Sequence, residues 1–137
     1  MFKAKSLLFL PLIASLLLGR GQATKGQLRG TTGLLKGNCM PSYGAPPCKP
    51  EPVQTWVYIS QPSEKFNKEK LIDSVRSDVN GQYEIDLAPA TYSLFVAHES
   101  EILCTRFNCT PECSCLPVLI KSDSVHRVDL VINKASW

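Results

Sequence analysis

Four cysteines crowd into the twelve residues CTRFNCTPECSC, positions 104–115, and Cys39 and Cys48 bracket a proline-rich stretch. Nothing else in the chain restricts its fold as tightly. Six sulfurs are disulfide staples, metal ligands or redox thiols, and the first of these roles belongs to an oxidising compartment. The metal reading is four thiolates at C-x4-C-x3-C-x-C. Structural zinc usually takes C-x2–4-C pairs from two separate knuckles, and Cys39 and Cys48 would be left over. No C-x-x-C redox pair occurs. Disulfides are therefore expected at Cys39, Cys48, Cys104, Cys109, Cys113 and Cys115, and no metal ligand set is assigned. Six cysteines allow 15 pairings; setting aside the strained Cys113–Cys115 ring leaves twelve. Cys39–Cys48 is favoured because it closes the proline-rich loop. The other four would then staple the 104–115 excursion onto itself, and a bridge from that excursion to the N-terminal loop is the rival.

The first 23 residues, MFKAKSLLFLPLIASLLLGRGQA, supply the compartment such bridges need. Lys3 and Lys5 form a basic start, Ser6 to Leu18 an apolar core, and Gly21 and Ala23 small residues for cleavage after Ala23. This reads as a signal peptide; an uncleaved N-terminal anchor is the alternative. The apolar run is shorter than the roughly 20 residues of a membrane span, and no second long one follows. The expectation is one mature domain, 24–137, secreted or periplasmic, with no integral membrane segment after cleavage. Charge supports a neutral surface. The leader holds three basic residues and no acid, so the remainder carries 12 basic and 12 acidic residues. Nucleic-acid binding needs clustered positive charge, so no nucleic-acid partner is expected.

Along the chain, QLRGTTGLLKGN offers at most one short, glycine-interrupted strand, and 39–52 is a proline-rich loop. VQTWVYIS, 53–60, reads as a strand, and QPSEKFNKEK, 61–70, as a solvated loop with room for one helical turn. In LIDSVRSDVNGQYEIDL, 71–87, two strand-like runs meet at Asn80-Gly81, the pair favoured by a type I′ hairpin turn. Tyr83, Ile85 and Leu87 alternate with polar residues, as in a half-buried strand. TYSLFVAH, 91–98, is apolar on both faces and reads as a central strand. LPVLIKS, 116–122, and VHRVDLVI, 125–132, follow, the latter with Val128, Leu130 and Ile132 on one face. About seven short strands and no convincing helix predict an all-β, seven-stranded antiparallel sandwich.

The segment SDVNGQYEIDLAPATYSLFV, 77–96, resembles the carboxypeptidase regulatory-like domain, a transthyretin-like (prealbumin-like) Greek-key sandwich, of the small exported bacterial type. The matching positions are Asp78, Gly81, Tyr83, Leu87, Pro89 and Tyr92. GNCMPS, 37–42, and the closing DLVINKASW are similar to the flanks of such proteins, so the resemblance runs over about residues 26–137. Ala90 stands where that family usually has glycine, which implies a differently shaped turn. The resemblance implies a non-catalytic module for binding, positioning or folding support.

Other chemistry is weaker. His98-x-x-Glu101 is formally the H-x-x-E of zinc carboxypeptidases, but that enzyme needs a further histidine, a catalytic glutamate and a larger scaffold. His126, the only other histidine, falls in a strand. No G-x-S-x-G occurs, and Glu84 and Asp86 read as a solvated face, not an acid/base pair. Asn108-Cys109-Thr110 is an N-x-T sequon on a loop. Trp56 and Tyr58 share one face of their strand and are candidate ligand contacts, if the opposite β-branched face points inward. Trp137 is read as closing the end of the sandwich. The expected function is thus an exported, cofactor-free, non-enzymatic module with a protein or carbohydrate partner. The alternatives are a cell-envelope component acting by self-assembly and a zinc-dependent carboxypeptidase-related hydrolase.

Overall fold

The computed structural model describes residues 24–44 and 46–136; segment 1–23, Ala45 and Trp137 lie outside the described residues. The strands, in chain order, are β1 (Gly26–Asn38), β2 (Glu51–Pro52), β3 (Trp56–Ser60), β4 (Leu71–Arg76), β5 (Gln82–Leu87) and β6 (Ala90–His98). There follow β7 (Glu101–Leu103), β8 (Phe107–Cys109), β9 (Cys113–Cys115), β10 (Pro117–Ile120), β11 (Val125–Arg127) and β12 (Leu130–Ser136). A 3₁₀ turn, Lys68–Lys70, precedes β4.

The fold is an all-β sandwich. In the first sheet, β1 is central: β5 and β2 pair along one side, β11 and β12 along the other. In the second, β6 is central, with β3 and then β4 on one side and β10 and β7 on the other. A small β8–β9 ribbon stands apart. Alternation drives the packing. Leu28, Tyr83, Leu87, Leu130 and Ile132 face inward from the first sheet and meet Val57, Ile59, Leu94, Val96 and Ile120 from the second. Each large aliphatic group buried this way contributes roughly 1.5–3 kcal/mol.

Three expectations are corrected. First, the strands number more than seven and are not all antiparallel: β1 pairs in parallel with β11 and with β12. Alternation assigns faces to a strand but says nothing of the direction of its neighbour. Second, the segment read as a short strand at most is the longest, 13 residues. Gly26, Gly30 and Gly33 are packing positions: a Cβ on Gly30 would lie 1.8 Å from the Val128 carbonyl oxygen. Third, β4 and β5 do not form a hairpin. β4 pairs with β3 and β5 with β1, so the turn between them carries the chain from one sheet to the other. Only Gly81 of the Asn-Gly pair has positive φ, so the turn is not type I′. Asp78 Oδ1 accepts the amides of Asn80 and Gln82, and the Gly81 amide donates to the Asp78 carbonyl.

The sheets are also joined by polar groups. Buried Thr32 Oγ1 lies 2.6 Å from the Val53 carbonyl and 2.7 Å from Ser77 Oγ, which accepts the Thr55 amide at 2.9 Å. Within the first sheet, the Tyr83 hydroxyl donates to the Val128 carbonyl at 2.5 Å. Burial, reinforced by Asp129 and opposed by Arg127, pushes the Tyr83 phenol well above its usual range. A proton held more tightly in the folded chain stabilises it fully below the unfolded value of about 10, and that contribution disappears as pH rises beyond it. The urea midpoint is expected to fall between about pH 10 and 12. Tyr83→Phe should flatten that fall while costing about 1 kcal/mol at neutral pH. An alkaline slope identical in wild type and variant would contradict this account.

Candidate functional site

β3 shows why one face is available. Val57 and Ile59 are fully buried, so Trp56 and Tyr58 project from the opposite, outer face of the second sheet. Trp56 remains 44 % exposed. Tyr58 is half-buried because Phe66 packs on it, ring centroids 5.3 Å apart. Phe66 in turn stands edge-on to Phe95 of β6 at 5.7 Å. The loop 61–70, read from its polarity as solvated, thus lays one phenylalanine back onto the sheet. Its isolated aromatic was the available signal.

The cysteine-rich excursion forms the rest of this cover. The structure joins Cys39 to Cys48, Cys104 to Cys115 and Cys109 to Cys113. Cys115 is fully buried, and its amide donates to the Ser63 carbonyl, while the Ser63 amide donates to Ser93 Oγ on β6. The excursion and the 61–70 loop are therefore fastened to each other and to the sheet. Between them lies a groove of about 480 Å³ lined by Phe66, Phe95, Ile102, Leu103, Cys104 and Phe107, with Glu64, Lys65 and Ser100 at its rim. Ile102 is 37 % and Phe107 53 % exposed. The register Val57–Val96 puts Trp56 opposite Ala97, and Ala97 pairs with Ile102, so an apolar row crosses β3, β6 and β7. Ile102 and Phe107 were not singled out in the sequence, since neither belongs to a regular alternating run.

The resemblance residues lie elsewhere and serve the architecture. Asp78 and Gly81 shape the sheet-crossing turn, and a Cβ on Gly81 would lie 2.4 Å from the Thr32 carbonyl oxygen. Tyr83 and Leu87 are core, and Pro89 sits exposed in the bend before β6. Tyr92 returns its hydroxyl to the Ala88 carbonyl four residues upstream at 2.5 Å, the arrangement of a tyrosine corner. Ala90 has no positive φ and simply begins β6.

His98 and Glu101 face each other across the turn from β6 to β7, and His98 Nε2 lies 3.9 Å from Glu99 Oε1. Among the described residues no three His, Cys, Asp or Glu side chains group to hold a metal ion. His126 lies 3.2 Å from Ser124 Oγ. Glu84 belongs to a charged ladder on the outer face of the first sheet: it is 3.7 Å from Arg29 and accepts from Gln27, and Arg127 contacts Asp129 at 3.4 Å. Asp86, two residues along, is exposed. Asn108 is exposed on the β8–β9 ribbon. Among the described residues no helix is long and apolar enough to cross a membrane.

No protein-family model and no curated protein sequence matches the chain. Among solved structures, the chain is similar to the crystal structure of GBS52, the minor pilin of the Gram-positive pathogen Streptococcus agalactiae. The identity is 13 % and the TM-score 0.45, over 83 % of this chain and 46 % of the pilin. The chain thus spans less than half the length of that protein.

Proposed function

We propose that the chain is an exported, non-catalytic β-sandwich module, one domain over 24–137, that holds a protein or carbohydrate partner on the outer face of its second sheet. The observation that carries this is the joined apolar surface of Trp56, Ile102 and Phe107 beside the groove. Buried on one side and exposed on the other, these strands present rigid aromatic area that costs little entropy to immobilise. Three disulfides, with the leader-like start, support a secreted or periplasmic location. The work done by Asp78, Gly81, Tyr83 and Tyr92 supports membership of the carboxypeptidase regulatory-like group. Their roles are architectural, which suits a module without catalytic residues.

Trp56→Ala tests the face. Exposed as it is, its removal should change stability by no more than about 1 kcal/mol. Binding to glycan arrays or to surface proteins of the source cell should weaken at least tenfold. Retained binding by a folded Trp56→Ala variant would move the site off this face.

A further inference from the structure

The same chain also carries a ligand suited to this groove. Residues 46–52, Pro-Pro-Cys-Lys-Pro-Glu-Pro, are exposed without interruption. Four prolines set φ near −65° at their own positions. Each also biases the residue before it toward extended backbone. The segment is thereby predisposed to polyproline II conformation, which has no internal hydrogen bonds and turns its carbonyls and rings outward. It is held at its middle and at its C-terminal end: Cys48 is bridged to Cys39, whose amide donates to the Ser136 carbonyl, and Glu51 and Pro52 pair with β1. Ordering such a segment on binding costs little, because most of the ordering is already done.

Grooves that accept polyproline segments are lined by aromatic rings. The groove has such rings: Phe107 is exposed in it and Phe66 half-buried, above the buried ring of Phe95. Two charged residues line the groove, Glu64 and Lys65. On the segment, Lys49 makes no ion pair among the described residues, while Glu51 is 3.6 Å from Lys36. A proline-rich segment with an unpaired lysine therefore meets an aromatic groove that carries one carboxylate, Glu64.

Resting on the reading of that face as a binding site, we propose that its partner is a second copy of this chain, whose segment 46–52 lies in the groove with Lys49 toward Glu64. Segment and groove are different surfaces, so the contact is head-to-tail and leaves one of each free. Copies then add into open chains instead of closing as a dimer. The contact is small and its affinity correspondingly low.

The test is sedimentation velocity on the disulfide-bonded chain over a wide concentration range. Weight-average mass should climb past that of a dimer. Lys49→Glu, which sets like charges against each other, should raise the dissociation constant at least tenfold, as should Phe107→Ala on the groove. Each variant keeps one intact surface. An equimolar mixture of the two should therefore form dimers and stop there, and Lys49→Glu should also associate with Glu64→Lys. A wild type monomeric at every concentration overturns the proposal, as does a closed dimer that both variants retain. So does a mixture that stays monomeric. If the monomer still binds a glycan or another protein and loses it in Trp56→Ala, only the self-association fails. If Trp56→Ala changes nothing either, the reading of the face fails with it.

Discussion

Gly30→Ala is expected to leave the chain unable to hold its fold at 37 °C. The glycine lies inside β1, opposite Tyr83, where the chain of residues 128–129 passes close against it. A methyl group there would sit 1.8 Å from the Val128 carbonyl oxygen and 2.6 Å from its carbon. Both are backbone atoms. Val128 cannot withdraw without giving up two bonds, since its amide donates to the Arg29 carbonyl and its carbonyl accepts the Tyr83 hydroxyl. Separating these segments also opens the parallel ladder that β11 and β12 continue on either side. Overpacking together with broken buried hydrogen bonds belongs among the largest single-residue effects, about 4 kcal/mol or more. That is a large part of the roughly 5–15 kcal/mol that holds a typical domain together. Circular dichroism of the purified variant should show no cooperative melt, or a midpoint lowered by on the order of 15 °C. A midpoint within a few degrees of wild type would mean that this close approach is wrong.

Removing the Cys104–Cys115 bridge should have the next largest effect, and it should strike binding as well as stability. By loop closure alone this bridge and Cys109–Cys113 differ by only about 1 kcal/mol, at about 3 and about 2 kcal/mol. Burial separates them. Cys115 is fully buried under the excursion and holds it to Ser63 and the second sheet, whereas Cys109 and Cys113 are exposed at the tip of the β8–β9 ribbon. Replacing Cys104 and Cys115 by alanine should cost about 3–5 kcal/mol, with a void at Cys115 added to the lost constraint. The groove should open with it, since Phe107 is carried on the released segment. Replacing Cys109 and Cys113 should cost no more than about 2 kcal/mol and leave the groove in place. Denaturant melts of the two double variants, with ligand binding measured on each, decide this. Losses that differ by no more than about 1 kcal/mol, with binding kept in both variants, would show that the excursion contributes only chain entropy.

The sandwich was legible in the sequence where strands bury one face or both. The alternation at Tyr83, Ile85 and Leu87 marks β5, and the apolar run of 91–98 marks β6 as central. β1 was hidden because glycines normally weaken strands, and only the neighbouring backbone shows that Gly30 has to be small. The turn at 78–81 was recognisable as a turn, but whether it returns the chain to the same sheet or passes it to the other depends on distant pairing. The site was half legible. Trp56 and Tyr58 follow from the period of β3, but the groove beside them exists only because Phe66 and the excursion fold back over Phe95. Those contacts join residues from separate loops, and no local pattern encodes them.

The parallel pairing of β1 with β12 has a mechanical consequence. The two strands run in the same direction and are the first and last in chain order among the described residues, matched from Thr32–Leu130 through Asn38–Ser136. Tension applied between Gly26 and Ser136 drags β1 and β12 past each other along their length. The bonds between them are then loaded in shear, all seven paired positions at once, instead of being peeled apart one after another. A module built this way holds its shape under a pull along its own chain.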